Sequence, residues 1–211
     1  DLIEVQNTAT DRVPNGGGTG GSTTSGKNAA GVQLACNELK TRFDQIRRVQ
    51  AHARGEEVGE WPQAMTKDAW SDLVAAASHA KVDMCVKSWV TGMSASGNGY
   101  CAAVAEVEID AETGRVRLDR YVSVDDVGNT VNPMIVHGQV HGGIASGLGQ
   151  AVLERTEYDA SGQLLSGSYM DYALPRADDM PSLSGSLFEK APCLTNPLGA
   201  KGTGEIGAVA G

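Results

Sequence analysis

The sequence predicts an α+β fold in which mixed and antiparallel sheets are flanked by two helices. From Val32 to Ile46, apolar residues recur at three- and four-residue steps, which is the pattern of an amphipathic helix. Cys101–Ile109 and Val116–Val124 instead alternate in polarity, and a short connection with Gly114 near its end separates them. A tight turn between two alternating runs indicates a hairpin. We expect this pair to form the middle of an antiparallel sheet.

The composition is that of a globular protein with one domain. The 211 residues are 41% hydrophobic and 20% charged, which is enough for one core. A net charge of −9 argues against a nucleic-acid binder, because phosphate contacts need a basic face. No apolar run approaches the ~20 residues that span a bilayer, and the first residues do not resemble a signal peptide. We therefore expect no membrane segment and a cytoplasmic location.

A polar, glycine-rich loop from Thr8 to Gly26 leads directly into the first helix. Free N–H groups and hydroxyls at a helix N-terminus suit an anion, above all a phosphate, whereas the alternative is a flexible linker. Gly21–Lys27 fits G-x-x-x-x-G-K, but Asn28 stands where a P-loop has Ser or Thr to hold Mg²⁺. The sequence therefore favours an anion site over a nucleotide hydrolase.

A second, short helix is predicted after Thr66, which is suited to be its N-cap. Its apolar face would carry Trp70, Leu73, Val74 and Ala77. The stretch before it, Arg47–Lys67, is polar and interrupted by glycine and proline, which indicates irregular structure. Val82–Val90 then alternates in polarity and is predicted to be a strand.

The third helix is predicted from about Ile135 to Glu154, after Pro133, although it contains five glycines. Each glycine in a helix costs up to ~1 kcal/mol relative to alanine. That cost is tolerable where the helix packs closely against another backbone or a ligand. A further strand is predicted over Ser182–Glu189, and Ile206–Ala210 resembles the start of another helix.

Neither the histidines nor the cysteines predict a metal site. His137 and His141 share a helix face, but Gly138 replaces the glutamate of H-E-x-x-H and no third ligand is evident. The cysteines stand far apart without a C-x-x-C pair, so we expect small buried apolar side chains, not zinc or iron–sulfur ligands. They are Cys36, Cys85, Cys101 and Cys193.

The segment from Asn196 to Gly207 places one carboxylate, Glu205, among glycines. Glycine allows positive φ and close approach, which suggests a segment folded tightly around another group. A carboxylate enclosed by backbone has a raised pKa and can act as a general base near neutral pH. The alternative is a solvated glutamate in a surface turn.

These segments together resemble the C-terminal part of the molybdenum-binding large subunit of the xanthine dehydrogenase/aldehyde oxidase family, the molybdenum hydroxylases. The resemblance runs through nearly the whole chain. Six motifs in order carry it: Pro14-Asn15 with Thr19-Gly20-Gly21-Ser22, Ala105–Asp110, Asp126-Val127-Gly128 with Asn132-Pro133, Gly138-Gln139-Val140 with Gly142, Asp171–Pro175, and Lys201-Gly202-Thr203-Gly204-Glu205. The segment Ala69–Ala77 looks more like the purine-hydroxylating branch than the carbon monoxide or nicotine branches.

The resemblance implies a molybdenum–molybdopterin cofactor, in its simple or its cytosine dinucleotide form. Gln139 would hydrogen-bond the pterin-dithiolene, and Glu205 would be the base that takes the proton from a molybdenum-bound hydroxide. The substrate would be a purine, another N-heterocycle or an aldehyde. No side chain of this chain is expected to ligate the metal. The residues implied to bind the cofactor are Gly20, Gly21, Ser22, Thr24, Ser25, Gln139 and Lys201.

Large subunits of this family are several times longer, so the resemblance implies that residues 1–211 are a second molybdopterin-binding domain truncated at both ends. The partners would be the first molybdenum-binding half of the subunit and domains or subunits carrying [2Fe-2S] clusters and FAD. We expect the isolated chain to be inactive. The alternative is a non-catalytic assembly module whose glycine loops only pack against a missing partner.

Overall fold

The computed structural model describes residues 4, 6, 9–13, 18–90 and 97–203. The chain divides into two compact units. The helical unit comprises residues 1–18 and 28–91, and the sheet unit comprises residues 19–27 and 92–211. Whether residues 1–211 form a single domain, as predicted, stays a prediction. The predicted helix start at Ile206–Ala210 lies outside the described residues.

The helical unit is built on the two predicted helices, α1 (Thr24–Arg54) and α2 (Lys67–His79), although the first turn of α1 belongs to the sheet unit. The side chain of Thr66 accepts a hydrogen bond from the N–H of Ala69 at 3.2 Å, which confirms the predicted N-cap. A cap of this kind contributes about 1 kcal/mol. The core of the unit joins the two helices through Phe43, Ile46, Leu73 and Ala77.

Helix α1 extends eight residues into the stretch predicted to be irregular, from Arg47 to Arg54. Asp44 accepts hydrogen bonds from Arg47 and Arg48, one helical turn further on. Arg47 also donates to the carbonyls of Glu60 and Gly59, which ties the following loop to the helix. Because Arg47 bonds both to Asp44 within the helix and to the carbonyls of the following loop, the helix continues past residue 47 although its sequence there is polar.

The prediction of a strand over Val82–Val90 is wrong, since this segment is extended but belongs to no sheet. Its side chains alternate in burial as a strand would, and Val82 and Met84 pack against the helical core. The guanidinium of Arg42, however, donates to the backbone carbonyl of Asp83, and Ser88 donates to the carbonyl of Gly31 at 2.6 Å. Side chains thus take the place of a neighbouring strand.

The sheet unit contains three strands in the order β1 (Tyr100–Ile109), β2 (Val116–Asp126) and β3 (Leu183–Phe188). The predicted hairpin is confirmed: β1 and β2 are antiparallel, and Gly114 has the φ of +72° that its turn requires. Strand β3 pairs with β2 in parallel, so the sheet is mixed. The expectation that the hairpin is central is wrong for β1, which is an edge strand among the described residues.

Helix α3 (Pro133–Leu148) forms the second core by packing against β2. This core contains Leu118, Tyr121, Val140 and Ile144. The last turn of the predicted helix is a π-helical turn, Gly149–Leu153. A Cβ at Gly149 would stand 2.9 Å from Pro175, whereas at Gly138 and Gly142 it would meet nothing within 4 Å. The predicted close packing is therefore present at Gly149 but not at the other two.

Three of the four cysteines, Cys36, Cys85 and Cys101, are exposed, so the prediction that all are buried is wrong. The reason is local packing. The N-terminal half of α1 leaves even Val32 63% exposed, and every residue of β1 is exposed. Only Cys193, beside the end of the sheet, is buried as predicted.

Candidate functional site

A cavity of about 320 Å³ lies in the sheet unit at the N-terminus of α1. Its lining comes from three segments that are distant in sequence: residues 19–25, residues 127–139 and residues 200–203. Five of the seven residues predicted to bind a cofactor line it, namely Ser22, Thr24, Ser25, Gln139 and Lys201. The volume is at the lower end of the range for small-molecule sites.

The loop before α1 is held in an unusual backbone conformation. Gly21 and Ser22 have φ values of +61° and +55°, and such a conformation is costly for a serine. The loop packs against the glycine-rich segment near the end of the described chain, because a Cβ at Gly202 would stand 2.4 Å from the carbonyl oxygen of Gly21. Neither predicted loop glycine lines the cavity, but Gly21 fixes the path of the residues that do.

The start of α1 presents hydrogen-bond donors to the cavity. The first N–H that bonds within the helix is that of Lys27, to Thr23 O at 3.1 Å, so helix geometry leaves the N–H groups before it available. Thr24 shares a hydrogen bond with Thr19 at 2.6 Å, which orients both hydroxyls. No acidic residue lies in the first turn. The site therefore favours an anion, and the helix dipole adds about 0.3–1 kcal/mol.

Helix α3 lines another part of the cavity. Its N-cap is Asn132, whose side chain accepts a hydrogen bond from the N–H of Ile135 at 3.3 Å. One turn later Gln139 is exposed and lines the same cavity. Its amide can both donate and accept hydrogen bonds, so it can recognise a polar heterocycle.

Lys201 is anchored within the protein. Its ammonium donates to Asp126 Oδ2 at 2.5 Å, and the two side chains are only 10% and 14% exposed. Sequence reasoning quoted both residues in motifs but missed this pair. The signal that could have found it is the lone lysine of a glycine-rich segment, because a buried lysine requires a nearby carboxylate.

Glu205 lies outside the described residues, so its environment stays a prediction. Thr203, two residues before it, is 9% exposed and lines the cavity. The sequence position of Glu205 therefore lies just beyond a residue of this site.

Sequence reasoning treated Cys193 only as a small buried apolar side chain and assigned it no role at the site. Burial raises the pKa of its thiol, but hydrogen bonds with Thr195 and Asn196 outweigh that effect, and the pKa is lowered overall. Its Sγ lies 3.1 Å from the hydroxyl of Thr195. Cys193 lines a separate, open cavity of about 570 Å³ that also reaches Lys201.

The histidine pair on α3 has no third ligand beside it among the described residues. The rings of His137 and His141 are 6.4 Å apart, centroid to centroid. Within residues 18–90 and 97–203, no cluster of three or more His, Cys, Asp or Glu side chains could hold a metal ion. Nor does any helix in the described part of the chain have the length and apolar character needed to cross a membrane.

Another large cavity, of about 550 Å³, opens beside the start of β2 and the π-helical turn. Its lining includes Arg117 and Asp119, but these form an ion pair at 3.2 Å, and Arg117 also pairs with Glu108. The charges of Arg117 and Asp119 are therefore already matched. The smaller cavity at α1 brings together five of the residues predicted to bind a cofactor, and it is therefore the candidate site.

Comparison with known proteins identifies relatives over the whole chain. The family model of the molybdopterin cofactor-binding domain matches residues 1–181. The chain is 33% identical to aldehyde oxidase 2 of Cavia porcellus over 99% of its length and 16% of that protein. It is 28% identical to the carbon monoxide dehydrogenase large chain of Afipia carboxidovorans, over 100% of its length and 27% of that protein.

A solved structure shares the fold. The crystal structure of Cu,Mo-CO dehydrogenase in its carbon monoxide reduced state superposes with a TM-score of 0.70 at 29% identity, over 96% of this chain and 27% of that one. A shorter match, 38% identity over 53% of this chain and 14% of the relative, is to the 6-hydroxypseudooxynicotine dehydrogenase complex subunit gamma of Paenarthrobacter nicotinovorans. The chain thus spans 14% to 27% of the length of these relatives.

Proposed function

The chain belongs to the molybdopterin cofactor-binding domain family of the molybdenum hydroxylases, and on that premise we propose that its 320 Å³ cavity holds part of a molybdopterin cofactor. One observation carries the proposal. Three segments far apart in sequence meet around that cavity, and each contributes residues with the expected hydrogen-bonding chemistry.

The residues present fit such a group. Molybdopterin carries a phosphate and a polar, nitrogen-rich ring system, so it needs anion donors at one end and mixed donors and acceptors at the other. The hydroxyls of Ser22, Thr24 and Ser25 and the first N–H groups of α1 supply the former. The amide of Gln139 supplies the latter. Because no acidic residue lies in the first turn of α1, no protein carboxylate there repels an anion.

We assign the roles accordingly. Gly20 and Gly21, which do not line the cavity, set the path of the loop, and Ser22, Thr24 and Ser25 bind the phosphate of the cofactor. Gln139 binds the pterin ring. Lys201 contributes the wall of the cavity, since its ammonium is paired with Asp126. When bound, the cofactor supplies oxidation of an electron-poor carbon with water as the oxygen source.

Glu205 is proposed as the general base of this reaction. Its carboxylate would accept a proton, and enclosure by the glycines around it would keep its pKa high enough to do so near neutral pH. Glu205→Gln in the assembled enzyme should abolish turnover while molybdenum stays bound. Turnover at the wild-type rate in this variant would refute the role.

The substrate class is proposed to be a purine, another N-heterocycle or an aldehyde, and the purine branch indicated by Ala69–Ala77 stays a prediction. Relatives whose names refer to an aldehyde, carbon monoxide and a nicotine derivative support the broad class of reaction without choosing among these substrates. We propose that electrons leave through [2Fe-2S] and FAD groups on other domains or subunits.

The cofactor role is tested directly by removing the hydroxyls. In the assembled enzyme, the combined substitutions Thr24→Val and Ser25→Ala should lower molybdenum and pterin content in parallel, because each charge-assisted hydrogen bond to a phosphate is worth about 1.5–3 kcal/mol. Ser71→Ala, at an exposed position of α2, is the matched control. Equal cofactor content in both proteins would refute the site.

An assembly role without catalysis remains as a second candidate because of β1. All ten residues of this strand are exposed, including Val104 at 71% and Ile109 at 62%. A strand with apolar residues on both faces is typical of a sheet interior. If the Glu205→Gln enzyme and the hydroxyl variants both behave as wild type, the assembly role is favoured.

A further inference from the structure

We propose that the open cavity of about 570 Å³ that Cys193 lines, called the substrate cavity below, binds the substrate as a neutral, planar N-heterocycle stacked on Tyr100. The inference rests on the proposed function, in which the 320 Å³ cavity holds part of the cofactor. It goes further because it selects one of the proposed substrate classes and names the residues that recognise it.

The substrate cavity adjoins the cofactor cavity. Lys201 lines both of them, and both lie in the sheet unit. The carbon to be oxidised must lie in contact with the cofactor, since reacting atoms approach to about 3–3.5 Å before reaction. The 550 Å³ cavity beside the start of β2 shares no lining residue with the cofactor cavity, so it does not meet this requirement.

The boundary between the two cavities is fixed by contacts within the protein. The ammonium of Lys201 pairs with Asp126, and its backbone N–H donates to the carbonyl of Val127 at 2.8 Å. Gly97, with a φ of +57°, packs closely here, because a Cβ there would stand 3.2 Å from Lys201 Cγ and 2.9 Å from Cys193 Sγ. This wall of the substrate cavity is therefore preformed.

Tyr100 provides a flat surface for stacking. It is the first residue of β1 and is 70% exposed. Lys201 Nζ lies 5.9 Å from the centroid of its ring, and the attraction between a cation and the face of a ring orients that ring. Leu194, which is 93% exposed, lines the same cavity and adds apolar surface. Because aromatic rings pack best against other rings, this lining favours a planar ring over an aliphatic chain.

The polar groups of the substrate cavity favour a neutral ligand. Its described lining contains no carboxylate, and the one ammonium in it, on Lys201, is already paired with Asp126. A charged ligand would find no free counterion there, so burying its charge would be costly. The amide of Asn98 and the hydroxyl of Thr195 both donate and accept hydrogen bonds, which suits the ring nitrogens of a heterocycle.

Equilibrium dialysis with the assembled, molybdenum-loaded enzyme tests the proposal. The enzyme is first reduced with dithionite, so that it binds its substrate without oxidising it. Radiolabelled purine and quinoline are the heterocycle probes, and butanal is the aliphatic aldehyde probe. We expect at least one heterocycle to bind roughly tenfold more tightly than butanal or better, because only the heterocycles can stack on Tyr100.

Tyr100→Ala should weaken heterocycle binding roughly 10- to 100-fold, the effect of losing one base–aromatic stack, without changing molybdenum content. Tyr100→Phe keeps the ring and should bind as the wild type does. Tyr169→Ala is the matched control, because Tyr169 is an 86% exposed tyrosine of the same unit that lines neither cavity. In the oxidised enzyme, Tyr100→Ala should raise KM with kcat close to wild type, since stacking is lost from the ground state and the transition state alike.

Leu194→Ala is a second variant, at a side chain so exposed that its removal leaves the fold intact. It should weaken heterocycle binding about fourfold, the value of one buried methylene group. If Tyr100→Ala and Leu194→Ala both bind the heterocycles as tightly as Tyr169→Ala does, the proposal is overturned. Failure of both heterocycles to bind the wild-type enzyme, or tighter binding of butanal, would overturn it as well. A failure of the proposed function looks different, since the folded protein would then lack molybdenum and pterin whatever it binds in dialysis.

Discussion

Replacing Gly202 with alanine should displace the loop before α1, which we propose to bind the phosphate of the cofactor. A Cβ at this position would stand 2.4 Å from the carbonyl oxygen of Gly21, whereas ordinary van der Waals contact begins at 3.4 Å. The neighbouring atom is a backbone oxygen, so one backbone segment must move by about 1 Å, the difference between these distances. Such overpacking costs about 1–3 kcal/mol of stability.

The same movement should weaken cofactor binding. A hydrogen bond of ~2.9 Å that lengthens by ~1 Å passes the limit of useful geometry. Loss of one charge-assisted bond is worth about 1.5–3 kcal/mol, or roughly 10- to 100-fold in affinity. Thermal unfolding and molybdenum content of the assembled Gly202→Ala enzyme measure the two effects.

Gly59→Ala provides the control, since a Cβ there meets nothing within 4 Å and its loop belongs to the helical unit. We expect it to keep both its melting temperature and its molybdenum. If Gly202→Ala also keeps both, the loop does not depend on this contact and the account of the cavity is wrong.

Three further predictions concern the two units. Phe43→Ala removes a buried ring that stacks edge-on against Trp70 at 5.2 Å, and it should cost about 3–5 kcal/mol in urea unfolding; a cost below ~1 kcal/mol would contradict the helical core. Hydrogen bonds from Arg48 and, to a smaller extent, from Arg47 lower the pKa of Asp44. These bonds therefore stabilise the folded protein above the ordinary pKa of an aspartate, and the stabilisation is lost as the pH falls through the lowered pKa of Asp44. Asp44→Asn should therefore weaken the fall in the free energy of unfolding at acidic pH, and an unchanged pH dependence would refute this. We expect the exposed apolar residues of β1 to cause self-association of the isolated chain. Val104→Lys should reduce this association in sedimentation experiments, and equal association would show that β1 is not the contact surface.

Local patterns in the sequence predicted the elements that depend on local physics. The turn at Gly114 and the cap at Thr66 were found because each needs only neighbouring residues. The strand predicted over Val82–Val90 failed for the opposite reason. Its alternation is real, but Arg42, some forty positions earlier, satisfies its backbone, and no local pattern reveals this.

At the candidate site, too, the sequence predicted local features but not contacts between distant residues. Residue chemistry and the family resemblance marked the loop at Ser22 and the helix at Gln139, and the structure places both at one cavity. The pair between Asp126 and Lys201 joins residues 75 positions apart, so the lone lysine indicates that a carboxylate is needed but not which one. The exposure of β1 was equally invisible, because apolar residues on a strand predict burial whether or not a partner is present.

The central claim is that this chain helps to hold a molybdopterin cofactor, and direct analysis of the assembled protein tests it most simply. The protein would be produced in a host that makes the cofactor, and its molybdenum would be measured by elemental analysis and its pterin by fluorescence after acid release and oxidation. We predict near-stoichiometric amounts of both. Purified, folded protein without molybdenum or pterin would contradict the claim and leave the assembly role as the better account.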